Sequence, residues 1–228
     1  MIKALLWKDY RVNLWLLTLA VALLIGPPLC AAALNLHGQL TIGSAPRAWA
    51  DLLVLTAPFS LAAQLLTIVM LGANAFAAER ADRSAEFLAY LPPSRWANVA
   101  SKAIFAIGVC VFVWGAGLMT IYVVAPQVGV VSADLVEFRD GLLPTLAASS
   151  VMLFGVAWLG STFLSSHTFA TGLGIAGPLA LLGVLQLWHY YFAPSGFELG
   201  YWYRALCWPL GLAAFVAGTV YYVRRVEP

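Results

Sequence analysis

LLPTLAASSVMLFGVAWLGSTFLSSHTFATGLGIAGPLALLGVLQLWHYYFAPSGF, from Leu142 to Phe197, contains no Lys, Arg, Asp or Glu. A helix crosses the hydrocarbon core of a bilayer with about 20 residues, so this stretch is more than twice the length of one span. Only the tetrad Ser165-Ser166-His167-Thr168 near its middle suits water. The stretch therefore folds back there, as two transmembrane helices over 143–164 and 169–192. Outward from it, the other charge-free runs are Val12–Pro46, Leu52–Ala78, Ala103–Ala133 and Ala205–Val223. One Lys, Arg or Asp at the bilayer centre costs about 2.5–3.5 kcal/mol, so the runs mark the remaining spans at 13–34, 53–77, 103–125 and 205–223. The fold expected is an all-α integral membrane protein of six spans, a single transmembrane domain over 1–228.

Composition agrees. The chain is 62% hydrophobic and 10% charged, with a mean hydropathy of +0.88, whereas a soluble domain carries about 25% charged residues. A net charge of +2 with no basic run excludes a phosphate-tracking surface, so no nucleic-acid partner is expected. Cys30, Cys110 and Cys207 lie in apolar surroundings at no metal-ligand spacing and read as small core hydrophobes. Cys30 and Cys207 can both fall near the outer face, which leaves a disulfide between them open. Lys3, Lys8 and Arg11 followed by an apolar run mimic a signal peptide. The run to Leu34 is longer than a signal core and is interrupted by Pro27-Pro28, so a retained anchor is expected.

Orientation follows from the cations. Nine of them, Lys3, Lys8, Arg11, Arg80, Arg83, Arg95, Lys102, Arg224 and Arg225, fall on one side of the six spans. Arg47, Arg139 and Arg204 fall on the other, with Asp134, Glu137, Asp140 and Glu198. The positive-inside rule places both termini in the cytoplasm. Aromatics at Tyr190-Tyr191-Phe192 and Tyr201-Trp202-Tyr203, with Trp208, fit the outer headgroup layer. Glycines inside the spans, among them Gly108, Gly115, Gly155, Gly172, Gly174, Gly177 and Gly183, are expected at close helix crossings. Gly172-Leu-Gly174-Ile-Ala-Gly177 matches a dinucleotide fingerprint only formally, since no strand precedes it. Kinks are expected at Gly26-Pro27-Pro28, Pro58 and Gly177-Pro178.

Chemistry-bearing residues are sparse. No acid or base falls at the centre of a span, which speaks against a proton- or sodium-coupled carrier. His37, His167 and His189 sit on separate loops or helix ends, and no metal site or catalytic residue is expected. Gln64, Asn74 and Gln186, the most polar side chains inside spans, either line a pathway or hydrogen-bond between helices. No phosphate-binding loop exists, so no cofactor is expected on this chain. The segment Glu79-Arg-Ala-Asp-Arg-Ser-Ala-Glu-Phe-Leu-Ala-Tyr-Leu-Pro-Pro-Ser-Arg95 stands apart. As a helix it sets Ser84, Phe87, Leu88 and Leu91 on one face and Glu79, Asp82 and Glu86 on another. Pro92-Pro93 must end it.

This pattern resembles the membrane subunits of type-2 ABC exporters, whose cytoplasmic segment has the form Glu…Gly-Thr-x-Glu-x-Leu…Pro-x-Ser-Arg…Lys. The matching positions are Glu79, Ser84 for the Thr, Glu86, Leu88, Pro92, Ser94, Arg95 and Lys102, and Arg83 stands where the family has Gly. Ala4-Leu-Leu-Trp-Lys-Asp-Tyr-Arg11 is similar to the family's amphipathic N-terminal connecting helix. The resemblance implies an export permease of the cytoplasmic membrane, paired with a second copy as a homo- or heterodimer and surrounded by lipid. It also implies an ATP-binding cassette subunit that carries ATP and Mg. Coupling to that subunit would run through Glu79, Asp82, Arg83, Glu86, Phe87, Leu88, Leu91, Pro92 and Arg95, with a second contact at Ser166 and His167. A non-transporting membrane scaffold, or a channel or secondary carrier, are the alternatives.

Overall fold

A computed structural model describes residues 2–36, 48–81, 95–119, 122, 138–192 and 198–225. Those residues form helices and no strand. In chain order they are α1 (Ile2–Val12), α2 (Leu14–Leu36), α3 (Ala48–Ala81), α4 (Arg95–Met119), α5 (Leu143–Phe163), α6 (His167–Phe192) and α7 (Leu199–Arg225). One π-helical turn, Phe138–Leu142, leads into α5. Six helices, α2 to α7, are long and apolar enough to cross a membrane, so the chain has the makings of a multi-pass membrane protein. The fold-back expected at Ser165–Thr168 is present, because α5 ends at Phe163 and α6 starts at His167.

Helices α3, α4 and α7 all run beyond the charge-free spans, α3 starting at Ala48 rather than 53 and α7 at Leu199 rather than 205. Helix α3 runs on to Ala81, past Glu79 and Arg80. Helix α4 begins at Arg95, just past Pro92-Pro93 where the preceding helix is expected to end, and so contains Lys102 ahead of the charge-free span at 103. Lys102 is tolerated inside a helix because two carboxylates neutralise it, as described below. Residues 82–94, which hold most of the expected cytoplasmic helix, lie outside the described residues, as do Arg47, Asp134 and Glu137.

Pro27, Pro28, Pro58 and Pro178 all sit inside continuous helices, as does Pro209. Proline has no N–H, so the carbonyl four residues earlier loses its helical donor. In lipid no water replaces that donor. For Pro28 the orphan is Leu24 O, and the Ser60 hydroxyl of α3 donates to it at 3.3 Å.

The chain divides into two compact units. Unit 2 comprises residues 14–67 and 107–146. Its core is Ala57, Leu61, Leu143 and Leu146, with Leu65, Trp114 and Leu118 packed against it. Besides Ser60, Gln64 ties α3 to α2, with its Nε2 donating to Ala20 O at 2.6 Å.

Unit 1 comprises residues 1–13, 68–106 and 147–228. Its centre is Trp158, fully buried, with Phe76 edge-on at 4.9 Å and Phe215 at 5.0 Å. The indole N–H donates to Thr219 Oγ1 at 3.3 Å, which satisfies the one polar atom this ring buries. Helices α5 and α7 cross with almost no space between backbones: a Cβ on Gly155 would lie 2.0 Å from Gly211 O. Likewise a Cβ on Gly174 of α6 would lie 2.5 Å from Val69 Cγ2. Gly108, Gly115, Gly172 and Gly183 differ, since a Cβ there meets nothing within 4 Å. Of the aromatic residues expected at the outer interface, Tyr190, Tyr191, Phe192, Tyr201 and Trp202 are exposed. Tyr203 is not. It shares the inner face of α7 with Cys207 and Gly211 and reaches Ser149 Oγ at 3.0 Å. All three cysteines are free thiols.

Candidate functional site: a buried ionic layer

Helix α1 is built with two faces. Leu5, Asp9 and Asn13 recur at intervals of four and are all buried. On the other side Trp7 and Tyr10 are exposed and stacked at 5.6 Å, beside exposed Lys3 and Arg11. Such a face, aromatic and basic, suits the headgroup layer of a membrane. Asn13 separates α1 from α2: its Nδ2 donates to Asp9 O at 2.8 Å, alongside its own backbone N–H at 3.0 Å.

The buried face of α1 carries charge inward, to acids and bases of α3 and α4. Lys102 Nζ lies 2.9 Å from Glu79 Oε1 and 3.5 Å from Asp9 Oδ1. Lys8 adds a second ion pair to Glu79. Asp9 also accepts from the Ser101 hydroxyl, and Asn74 Nδ2 of α3 donates to Asn13 Oδ1 at 2.7 Å. Lys102 and Asp9 are each under a tenth exposed. The Lys102 ammonium also sits over the Phe76 ring at 5.6 Å, within cation–π range. Two carboxylates and two ammoniums make the cluster neutral.

The same end of unit 1 gathers two helix C-termini. The Arg80 guanidinium donates to Thr162 O at the end of α5, and Arg95 Nη1 donates to Val223 O near the end of α7 at 3.2 Å. Asn98 Nδ2 donates to Tyr222 OH at 3.0 Å, and the Tyr222 ring stacks on Phe76 at 4.1 Å. A basic side chain on a helix C-terminus satisfies carbonyls that have no helical donor and complements the negative end of the dipole. Arg80→Met should therefore lower the stability of the purified protein by about 1.5–3 kcal/mol, the worth of a charge-assisted hydrogen bond. A thermal melt in detergent or nanodiscs reads the loss, and Arg80→Lys should recover part of it.

The residues expected to couple to a partner divide. Glu79 is buried and committed to Lys8 and Lys102 of its own chain. Arg95 is exposed and bonded to α7. Ser166 is half-buried, and His167 is exposed at the first turn of α6. Asp82, Arg83, Glu86, Phe87, Leu88, Leu91 and Pro92 lie outside the described residues.

Of the polar intramembrane residues, Gln64 and Asn74 each form an interhelical hydrogen bond. Gln186 faces outward. Gln64 Oε1 and Thr67 Oγ1 are buried with no partner among the described residues.

Sequence reasoning did not mark Lys8, Asp9, Asn13, Asn98 or Ser101 as site residues, and quoted Lys102 only as a cation of the inner side and the end of a motif. The signal was the four-residue spacing Leu5–Asp9–Asn13, which puts an acid on the apolar side of α1. Among the described residues, no group of three or more His, Cys, Asp or Glu gathers that could hold a metal. The layer ties α1, α3 and α4 to one another. Compared with known proteins, the chain matches no family model, no curated protein and no solved structure.

Proposed function

We propose that the chain is the membrane permease subunit of an ABC exporter. It works as a pair of permeases in the cytoplasmic membrane, with both termini in the cytoplasm. ATP and Mg are held by a separate ATPase subunit. One observation carries this reading. The motif segment that resembles the exporter family begins at Glu79 and ends at Lys102, and these two residues form an ion pair at 2.9 Å. The ends of the segment between them are thereby clamped together, and Lys8 and Asp9 tie the same clamp to α1. A loop that receives force from a partner needs a fixed base. Six helices long and apolar enough to cross a membrane supply the remaining requirement.

On this reading the segment beyond Ala81 docks in a groove of the ATPase. Phe87, Leu88 and Leu91 anchor it, and Asp82, Arg83 and Glu86 meet the rim. Glu79 belongs to the base rather than to the docking face. Ser166 and His167 form a second, smaller contact. Burying a Phe or Leu side chain is worth about 1.5–3 kcal/mol, against about 0–1 kcal/mol for an exposed ion pair. Leu88→Ala and Phe87→Ala should therefore deplete the ATPase from a pull-down in mild detergent more than Asp82→Ala does. Glu86→Lys should harm more than Glu86→Ala, because it adds repulsion. If the parent chain purifies without any phosphate-loop ATPase from its own membranes, the permease reading falls and the scaffold reading replaces it.

A further inference from the structure

Unit 2 contains a cleft of about 240 Å³ between α2, α3 and α4. We propose that it binds a single alkyl chain carrying an uncharged hydroxyl head, entering from the bilayer. The space exists because small side chains stand where large ones would fill it: Ala57 on α3 and Ala116 on α4 both line it. Its volume is below the ~300–1,000 Å³ of usual small-molecule pockets, which suits one chain and a small head rather than a two-chain lipid.

Polarity is confined to one turn of α3, where Thr56 and Ser60 face the cleft. The Ser60 proton is already spent on Leu24 O, the carbonyl that Pro28 deprives of its helical donor. Its oxygen retains acceptor capacity, so the group it recognises is a donor such as a hydroxyl. Among the described residues no ionisable side chain lines the cleft, and a charged head would be desolvated without compensation. Ile25, which lines the rim, is 46% exposed, and Val21 and Leu29 continue the same exposed face of α2. That face gives access from the lipid side.

The inference stands independently of any ATPase partner, and its test uses this chain alone. The purified protein in nanodiscs is photolabelled with a long-chain alcohol bearing a mid-chain diazirine, and with the alkane that carries the same diazirine. Adducts are mapped by peptide mass spectrometry. The alcohol should label residues 24–28 and 56–60 about fivefold over the alkane, the worth of one neutral hydrogen bond. Ser60→Ala should remove that preference. Ala57→Leu and Ala116→Leu, two independent ways of filling the cleft, should each abolish the adducts. Gly108→Ala, where a Cβ meets nothing within 4 Å, should leave them intact. Equal labelling by alcohol and alkane would overturn the proposal. So would adducts no denser here than at exposed Leu179 and Val184 of α6, or adducts that persist in both filled variants.

Discussion

Lys102→Met should destabilise the protein by about 3–5 kcal/mol, the cost of removing one partner from a buried ion pair. The side chain is 7% exposed and lies against both Glu79 and Asp9. Met is similar in bulk but uncharged, so it forfeits the ammonium's place over Phe76 along with both ion pairs, and the effect is chiefly electrostatic. Two carboxylates would then share one remaining lysine, Lys8, which is 31% exposed. The layer would carry a net negative charge under apolar cover. A double variant supplies the sign. Adding Asp9→Asn removes the excess charge and keeps an acceptor for the Ser101 hydroxyl, so it should restore a substantial part of the lost stability. Chemical or thermal unfolding of the single and double variants, with insertion checked first, measures both numbers. Additive losses would mean that Lys102 and Asp9 do not act as a unit.

Gly155→Ala should be the most damaging added methyl group among the described glycines. The added carbon would lie 2.0 Å from Gly211 O and 2.8 Å from its carbonyl carbon. Both are backbone atoms, so no rotamer change relieves the clash and helices α5 and α7 must separate. Gly211→Ala would repeat the collision from the other side, 2.6 Å from Val151 O. Overpacking costs about 1–3 kcal/mol when side chains can give way, and more when they cannot; a loss of about 3 kcal/mol or more is expected here. Gly108→Ala is the control. Its Cβ meets open space, and alanine favours a helix by about 1 kcal/mol over glycine. It should be neutral or slightly stabilising.

These residues show what the sequence could reveal and where it stopped. The six helices were legible because hydrocarbon tolerates few charges, and the gaps between Lys, Arg, Asp and Glu outline the spans. The same rule marks only the charge-free part of α4. It treats Lys102 as a boundary, and cannot know that Asp9, far away in the chain, neutralises it inside a helix. Glycine content pointed to close crossings, but not to which crossings. Gly155 and Gly174 are packed, whereas Gly108 and Gly172 are open. The difference lies in which helix face meets a neighbour, and in an all-round apolar helix the pattern does not mark that face. Tyr203 went unrecognised as a buried residue for the same reason. The ionic layer was partly legible: Glu79 and Lys102 stand out as the ends of a motif, yet their pairing with each other is a tertiary fact.

An export permease needs the charged end of unit 1, and the segment it clamps, to face the cytoplasm. Single cysteines at Arg83, Arg225, Asp134 and Glu198, placed in a background lacking Cys30, Cys110 and Cys207, test this directly. In intact cells a membrane-impermeant thiol reagent should label positions 134 and 198, and should reach 83 and 225 only after the membrane is opened. Labelling of position 83 from outside would contradict the orientation, and with it the permease reading.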